Sequence, residues 1–364
     1  MTKLEQLIEE LCPNGVEYRK LSEVTTIERG RRVVKEQLSH DSGYPVFQNS
    51  LTPMGFHTDS NYPAETSYVI GAGAAGEIGY CKEDFWAADD CFPIVCGDSV
   101  INRYVYHFLL WQQPVLLSKV RKASIPRLSR SVIENIMIPV PPLPVQSEIV
   151  RILDNFTELT VELTVELTAR RKQYEYYRNK VLSLQSNGCK LLLKDIANTF
   201  RGEYITKSST KEGNIPVILG GQEPAYYIDK YNHEGEIVVV ARSGASAGFV
   251  SYWNERIFIT DGFGYEAKQS IVTQKYLYYI LKNIEAKLNS MKRGAGVPHV
   301  SGEALNNLEF IIPTLKEQER IVAILDRFDT LCNDISAGLP AEIEARQKQY
   351  EYYRDKLLTF KELT

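Results

Sequence analysis

Residues 174–184 read YEYYRNKVLSL, and residues 350–360 read YEYYRDKLLTF. Residues 146–159 read QSEIVRILDNFTEL and return at 318–331 as QERIVAILDRFDTL. A chain that repeats itself over such a distance is a duplicated architecture. Working outward, Gly30 matches Gly202, Asp89 matches Asp261, Pro126 matches Pro298 and Gln146 matches Gln318, each pair 172 positions apart. Tyr174 and Tyr350 are 176 apart, so the second half has gained four residues between its two blocks.

Each half has one internal order. A stretch of some 125 residues (17–143 and 189–315) is rich in Gly, Tyr and β-branched residues, with strand-like runs such as Glu236–Ala241. A charged, periodic stretch follows (145–186 and 317–360). In its first copy Ile149, Leu153, Phe156, Thr160, Leu163, Leu167, Arg170, Tyr174, Tyr177, Val181 and Leu184 alternate by four and three, a heptad seam. Pro144 stands where such a helix starts, and Gly188 just past its end. About 40 residues at 1.5 Å each span about 60 Å. A single helix of that length cannot bury its own stripe, and the second copy (Ile321, Leu325, Phe328, Ile335, Tyr350, Tyr353, Leu357, Phe360) supplies a partner. Gly338-Leu339-Pro340 interrupts the second copy, so the expectation is two antiparallel helices with the second kinked or broken.

The expected fold class is therefore α+β: two globular mixed α/β lobes joined by two long antiparallel helices in a coiled coil, related by a pseudo-two-fold repeat. The expected boundaries are 1–144 for the first lobe, 145–187 for the first helical spacer, 188–316 for the second lobe and 317–364 for the second spacer. The lobes diverge while the helices stay alike, which fits one mechanical role and two different ligands. The array ELT-VELT-VELT at 158–168 reads either as simple low complexity on a helix or as a ruler. One added TVEL unit lengthens a rod by about 6 Å, roughly one to two base pairs of DNA.

Composition bounds the function. The 364 residues are 44% hydrophobic and 24% charged, ordinary for a globular protein of two to three domains. No apolar run approaches the ~18–20 residues of a membrane span, and the opening MTKLEQLIEELCPNG has no apolar region of a secretory signal. The expected address is the cytoplasm. The cysteines (Cys12, Cys81, Cys91, Cys96, Cys189, Cys332) form no CxxC pair and share no ligand spacing with the histidines, so reduced thiols rather than zinc are expected. Net charge is −4, but a global sum says little when acids and bases sit on different faces.

The bases are indeed local. Ser118–Arg130 holds Lys119, Arg121, Lys122, Arg127 and Arg130 with Ser124 and no acid. The matched segment of the second lobe holds Lys292, Arg293, His299 and Ser301 around Pro298. Bases with Ser and His on Gly/Pro loops suit phosphate and base-edge contacts, although a solvated surface run has the same composition. Arg29, Arg31 and Arg32 form a second cluster, weakly repeated at Arg201. The tips Gln48-Asn49 and Gly221-Gln222 offer amides that suit adenine. Gly71–Gly76 spells GxGxxG, but Glu77–Cys81 follows as strand or turn where a dinucleotide site needs a helix. The matched segment Ala241–Gly248 loses the pattern, so a tight turn is expected, with Arg242 and Ser243 at its tip able to touch DNA. Asp89 and Asp90 with Asp84 read as turn and hydrogen-bonding residues, because only Asp89 has a counterpart, Asp261. The chain carries no P-loop, no nucleophile elbow and no methyltransferase tetrapeptide of the Asn/Asp-Pro-Pro-aromatic kind.

These blocks, Gln-x-x-Ile-Val-x-Ile-Leu-Asp-x-Phe (146–156 and 318–328) and Gln-Tyr-Glu-Tyr-Tyr-Arg (ending at Arg178 and Arg354), resemble the specificity subunits of type I restriction–modification systems over the whole chain. The TVEL array resembles the repeats of the IC group. The resemblance implies two target-recognition lobes, each reading half of a bipartite double-stranded DNA site, mainly from the major groove. It implies that the helices set the gap and dock two methyltransferase subunits of an adenine-modifying enzyme, which motor-endonuclease subunits then join. It also implies no catalysis and no cofactor on this chain, with S-adenosylmethionine on the partner. The residues assigned to partner docking are Gln146, Arg151, Tyr174, Tyr177, Arg178, Gln318, Tyr350, Tyr353 and Arg354. A DNA-binding regulator without an enzyme partner, an orphan methyltransferase or nuclease, and a purely structural coiled coil are the rival readings.

Overall fold

A computed structural model describes the whole chain except residues 1, 41, 184–187, 220–222, 295, 296, 335 and 364. Leu184 and Ile335 of the heptad seam, and the tip Gly221-Gln222, thus lie outside the described residues. The chain forms two compact units, one of residues 1–164 and 342–364, the other of residues 165–341.

The two units share one plan. In unit 1 a four-stranded sheet has the order Thr25–Ile27, Cys91–Cys96, Thr66–Ile70, Ile78–Cys81. In unit 2 the order is Ala197–Arg201, Gly262–Ala267, Glu236–Ala241, Val250–Asn254, and all of these pairs are antiparallel. A smaller three-stranded sheet accompanies each, with Val46 opposite Trp86 in unit 1 and Val217 opposite Phe258 in unit 2, both in parallel pairing. A two-stranded ribbon closes each lobe, Tyr18–Lys20 with Met137–Pro139 and Cys189–Leu192 with Glu309–Ile312. The central strands Thr66–Ile70 and Ile237–Ala241 are buried throughout, as runs of apolar and β-branched residues between two layers should be.

One long lobe helix lies beside each large sheet, Asn102–Ser118 (α2) in unit 1 and Gln274–Asn283 (α4) in unit 2; helix α1, Lys3–Leu11, precedes the first lobe. The spacer helix α3 runs from Leu143 to Ser183 over 41 residues. Its Thr157, Thr160 and Thr164 hydroxyls bond back to the carbonyls of Leu153, Phe156 and Thr160 at 2.7–3.0 Å, so each hydroxyl is satisfied along the helix itself. The second spacer is broken as its sequence requires. Helix α5 (Leu315–Asn333) ends before α6 (Leu339–Leu357) begins. At the break Gly338 N–H bonds Asp334 O, and a Cβ on Gly338 would stand 2.3 Å from Thr330 O, so only glycine fits. Pro340 falls in the first turn of α6, where its missing N–H costs nothing.

The spacers are not units of their own, which departs from the four segments expected. The first part of α3 belongs with lobe 1, where Ile149 and Leu153 are fully buried, and α5 belongs with lobe 2, where Ile321 and Leu325 are fully buried. Each such side chain cut to Ala costs roughly 2–5 kcal/mol, so helix and lobe form one core. The remaining halves cross over. Tyr350 and Tyr353 of the second copy pack in unit 1, where Tyr353 stacks on Phe156 at 5.3 Å. Tyr174 and Tyr177 of the first copy pack in unit 2, each stacked on Phe328 at 6.1 Å. There α3 and α5 run antiparallel, since Tyr177 meets Phe328 while Arg171 reaches back to Cys332 O.

Candidate nucleic-acid interface

The basic loop of each lobe is a small hairpin docked on a glycine turn. In unit 1, Arg121 N–H bonds Arg127 O at 2.8 Å and Arg127 N–H bonds Arg121 O at 3.2 Å. In unit 2, Arg293 and His299 exchange the same two bonds at 3.0 Å. Gly73 N–H then bonds Pro126 O and Leu128 N–H bonds Gly71 O; in unit 2 Gly244 bonds Pro298 and Val300 bonds Arg242, at 2.8–3.1 Å throughout. Both turn glycines have φ +82, open to glycine and closed to most other residues. The GxGxxG segment is thereby explained: it joins strand Thr66–Ile70 to strand Ile78–Cys81, with no helix after it.

A matched aspartate gathers the next residues. Gln48 Nε2 donates to Asp89 Oδ1 at 3.2 Å and Arg29 Nε to Asp89 O at 2.9 Å. Asn49 O accepts from Ala74 N, inside the same glycine turn. In unit 2, Asp261 accepts from the Ser243 hydroxyl and lies 3.5 Å from Arg242 Nη1. Arg201 ends the neighbouring strand, and the next N–H, of Gly202, bonds Gly262 O beside Asp261. The structure thus brings Arg29, Gln48, Asn49, Arg121 and Arg127 together in unit 1, with Lys119, Lys122 and Ser124 on the same hairpin. In unit 2 it brings together Arg201, Arg242, Ser243, Arg293 and His299. Lys119, Arg121, Lys122 and Arg127 are exposed, and none forms an ion pair among the described residues. Arg31 and Arg32 are exposed on the loop leaving strand Thr25–Ile27.

Three of the assigned side chains are engaged within their lobe. Arg130 is held by Glu134 at 2.9 Å, one helical turn away, and reaches Ile27 O. Ser301 caps helix Gly302–Asn306 by accepting from Ala304 N. Lys292 Nζ donates to Ala245 O at 3.2 Å and buttresses the glycine turn. Each of these groups already has an internal task. Gln222 lies outside the described residues.

Several of the helix residues assigned to partner docking fasten the helices to their own lobe. Gln146 and Gln318 are fully buried. Gln146 accepts from Ile101 N and donates to Ser99 O and Pro141 O; Gln318 does the same with Thr273, Ile271 and Pro313, all within 2.7–2.9 Å. Nothing of either amide is left for a partner. Tyr174 is 6% exposed. Arg151 is bound to Glu148 at 2.6 Å, and Arg178 donates to Asn283 and lies over the Tyr174 ring. Arg354 lies over Tyr350 and pairs with Asp355. Of the tyrosines of the repeated block, Tyr176 and Tyr352 are the most exposed, at 59% and 64%, and Tyr177 is 40% exposed.

Residues unnoticed in the sequence complete the fastening. Asp154 receives Arg103 Nη2 at 2.7 Å and His107 Nε2 at 2.8 Å; its counterpart Asp326 receives Lys275 and Tyr279. Their signal was the 172-residue offset applied to polar side chains. The Asp154 carboxylate, which can only accept, faces His107 Nε2 and so assigns the ring proton to Nε2, leaving Nδ1, 3.5 Å from Tyr350 Oη, to accept. Burial lowers the His107 pKa against the pull of Asp154, so the ring is neutral. Burial alone would raise Asp154, but the His107 and Arg103 bonds outweigh it and hold the carboxyl at about 2. An unfolded Asp titrates near 3.9 and an unfolded His near 6.5. Both shifts are depressions, so unit 1 loses stability on acidification, first below pH ~6.5 as the unfolded His takes up a proton and then below ~4. The Asp154 share is about 1–2 kcal/mol after solvent screening. Unfolding followed from pH 5 to 2 should show a shallower loss in Asp154→Asn than in the natural chain; equal slopes would mean that Asp154 has no such share.

Other chemistry is sparse. Among the described residues no group of three His, Cys, Asp or Glu is placed to hold a metal, and no helix is long and apolar enough to cross a membrane. Cys12, Cys81, Cys91 and Cys332 are buried and all six cysteines are free thiols.

Known proteins share this layout. The sequence matches the family described as type I restriction modification DNA specificity domain twice, over residues 13–170 and 190–345. It is 34% identical over 394 residues to a type I restriction enzyme specificity subunit of Haemophilus influenzae, covering 99% of this chain and 98% of that protein. It is 30% identical over 400 residues to a type I restriction enzyme specificity subunit of Escherichia coli, covering 99% and 97%. The fold matches the crystal structure of a type I restriction–modification S subunit from M. genitalium with a TM-score of 0.72 at 18% identity, over 94% and 96% of the two chains. The chain, with two lobes on one plan and a duplicated spacer, belongs to the family of type I restriction–modification specificity subunits.

Proposed function

We propose that each lobe reads one half of a bipartite double-stranded DNA site, that the spacer helices set the gap between the halves, and that the helices dock two methyltransferase subunits. The chain itself does no chemistry in this reading. S-adenosylmethionine binds the methyltransferase, which modifies adenine, and motor-endonuclease subunits join for cleavage, all in the cytoplasm where the host DNA is.

The observation that carries the reading is the docked basic hairpin, built with the same backbone register in two lobes whose loop sequences differ. An identical scaffold with different side chains is what two readers of different half-sites need. Phosphate contacts from Arg and Lys hold position, while Gln48, Asn49, Ser243 and His299 have the donors and acceptors that base edges require. The spacer supports the reading as well: Val161 and Val165 in the TVEL array are 57% and 64% exposed, so the array tolerates a change of length better than a buried stretch would.

The test is to purify the chain with the host's candidate type I methyltransferase and map methylated adenines in exposed DNA. Methylation of a split sequence that depends on this chain is expected. Methylation unchanged when the chain is omitted would overturn the reading in favour of a free-standing DNA-binding regulator.

A further inference from the structure

The two basic hairpins each present an apolar side chain at the same place. Residues 121–127 read RKASIPR and residues 293–299 read RGAGVPH, so the paired residues at the ends enclose loops of one length. Ile125 and Val297 stand 172 positions apart, directly before the matched prolines, and are 53% and 68% exposed. The loops otherwise differ: Lys122 stands where the second lobe has Gly294, Ser124 where it has Gly296, and Arg127 where it has His299. One exposed aliphatic residue is ordinary on a protein surface. Two at one register position of two differing loops call for a shared cause.

Both side chains are held stiffly. A residue before proline is steered to extended backbone, and Pro126 and Pro298 have φ fixed by their rings. Branching at Cβ restricts χ1 of Ile125 and Val297 as well. The carbonyls of Pro126 and Pro298 accept from Gly73 N–H and Gly244 N–H at 3.1 and 3.0 Å, which anchors each loop one residue beyond the apolar group. The surroundings are cationic or polar. Lys122 and Arg127 are exposed beside Ile125, and Arg293 and His299 beside Val297. A stiff aliphatic knob among cations suits a partner with anionic flanks and an apolar interior. Duplex DNA is built that way, its bases stacked between rows of phosphate.

We propose that Ile125 and Val297 are wedges: once the cationic side chains of a hairpin meet phosphates, each knob presses into the base stack of its own half-site and opens the step at the adenine to be modified. The inference rests on the two-lobe reading above and adds a positioning role to it. A contact that names a base should differ between lobes that read different half-sites. What both half-sites share in that reading is the adenine. Bringing a base out of the stack costs unstacking energy, and aliphatic side chains are among those that part base steps.

The experiment uses the full chain with the methyltransferase, on duplexes that carry the mapped split sequence. The fluorescent base 2-aminopurine, which brightens when unstacked, replaces the base beside the adenine in one half-site at a time. The natural complex should brighten the probe in either half. Ile125→Ala should lose most of that brightening in one half and slow methylation there about tenfold, with the other half, the methylated sequence and the salt dependence unchanged. Val297→Ala should do the same to the opposite half, and Ile125→Val should behave as the natural chain does. Both side chains are exposed, so the variants should fold, which their thermal transitions check. No brightening by the natural complex, or brightening and rate unaltered in the alanine variants, would overturn the wedge and leave the two-lobe reading intact. Methylation that relaxes at one base pair in Ile125→Ala, reproduced by uracil in place of thymine there, would make the side chain a reader of the thymine methyl and overturn the wedge too. The absence of any split methylated sequence would bring down the two-lobe reading itself, and the wedge with it.

Discussion

Replacing Arg121, Lys122 and Arg127 together by alanine is expected to weaken DNA binding by the assembled complex about 100-fold or more near physiological salt. All three side chains are exposed on the docked hairpin of unit 1, and none is paired with an acid among the described residues. Removing one base that meets a phosphate should lower the slope of log affinity against log salt by roughly 0.9. The triple variant should therefore lose up to about 2.7 from that slope. The hairpin itself should survive, because it is held by backbone bonds between Arg121 and Arg127 and to Gly71 and Gly73, which alanine keeps. Binding isotherms at several salt concentrations check this. A weaker affinity with an unchanged slope would mean that these bases do not meet phosphates.

The second large effect concerns stability. Gln318→Ala should destabilise unit 2 by about 3 kcal/mol, because three hydrogen bonds disappear and their buried partners are left unpaired. Gln318 ties the start of α5 to the lobe through Thr273 N, Ile271 O and Pro313 O, each at 2.9 Å, with no water-exposed surface to replace them. For a domain stable by roughly 5–15 kcal/mol this is a large fraction. Gln318→Glu is the informative companion: it keeps the acceptor for Thr273 but loses both donated bonds. Chemical denaturation resolves the difference, and a change below about 1 kcal/mol in Gln318→Ala would contradict the fastening role. Functionally, the same bond fixes where the lobe stands on its spacer, so a loosened Gln318 should blur discrimination at one half-site before it abolishes binding.

Much of this architecture is legible in the residues. The offset of 172 exposes the duplication, the heptads expose the spacer, and Gly338 and Pro340 mark the break between α5 and α6. The strand after Gly76 separates a glycine turn from a nucleotide site. Three things were not legible. Periodicity finds the apolar face of a helix but not which lobe it serves, and the Tyr350–Tyr353 block packs in unit 1 while Tyr174–Tyr177 packs in unit 2. A glutamine at a helix start reads as a surface residue, since nothing local shows that Ser99 and Pro141 will bring their carbonyls to it. Asp154 and Asp326, each in a block of like sequence, find partners on another helix some 50 residues away, which only folding reveals. The candidate interface was partly visible for a related reason. Basic residues around a matched proline stand out in sequence, but Arg130, Lys292 and Ser301 are engaged inside the lobe, and that depends on neighbours.

Two lobes that read two half-sites separately through one spacer should be separable by exchange. The most direct measurement exchanges residues 188–316 for the second lobe of a related specificity subunit and maps the adenines methylated by the resulting complex. One half of the methylated sequence should change, with the other half and the gap retained. A change in both halves, or in neither, would contradict separate reading by the two lobes.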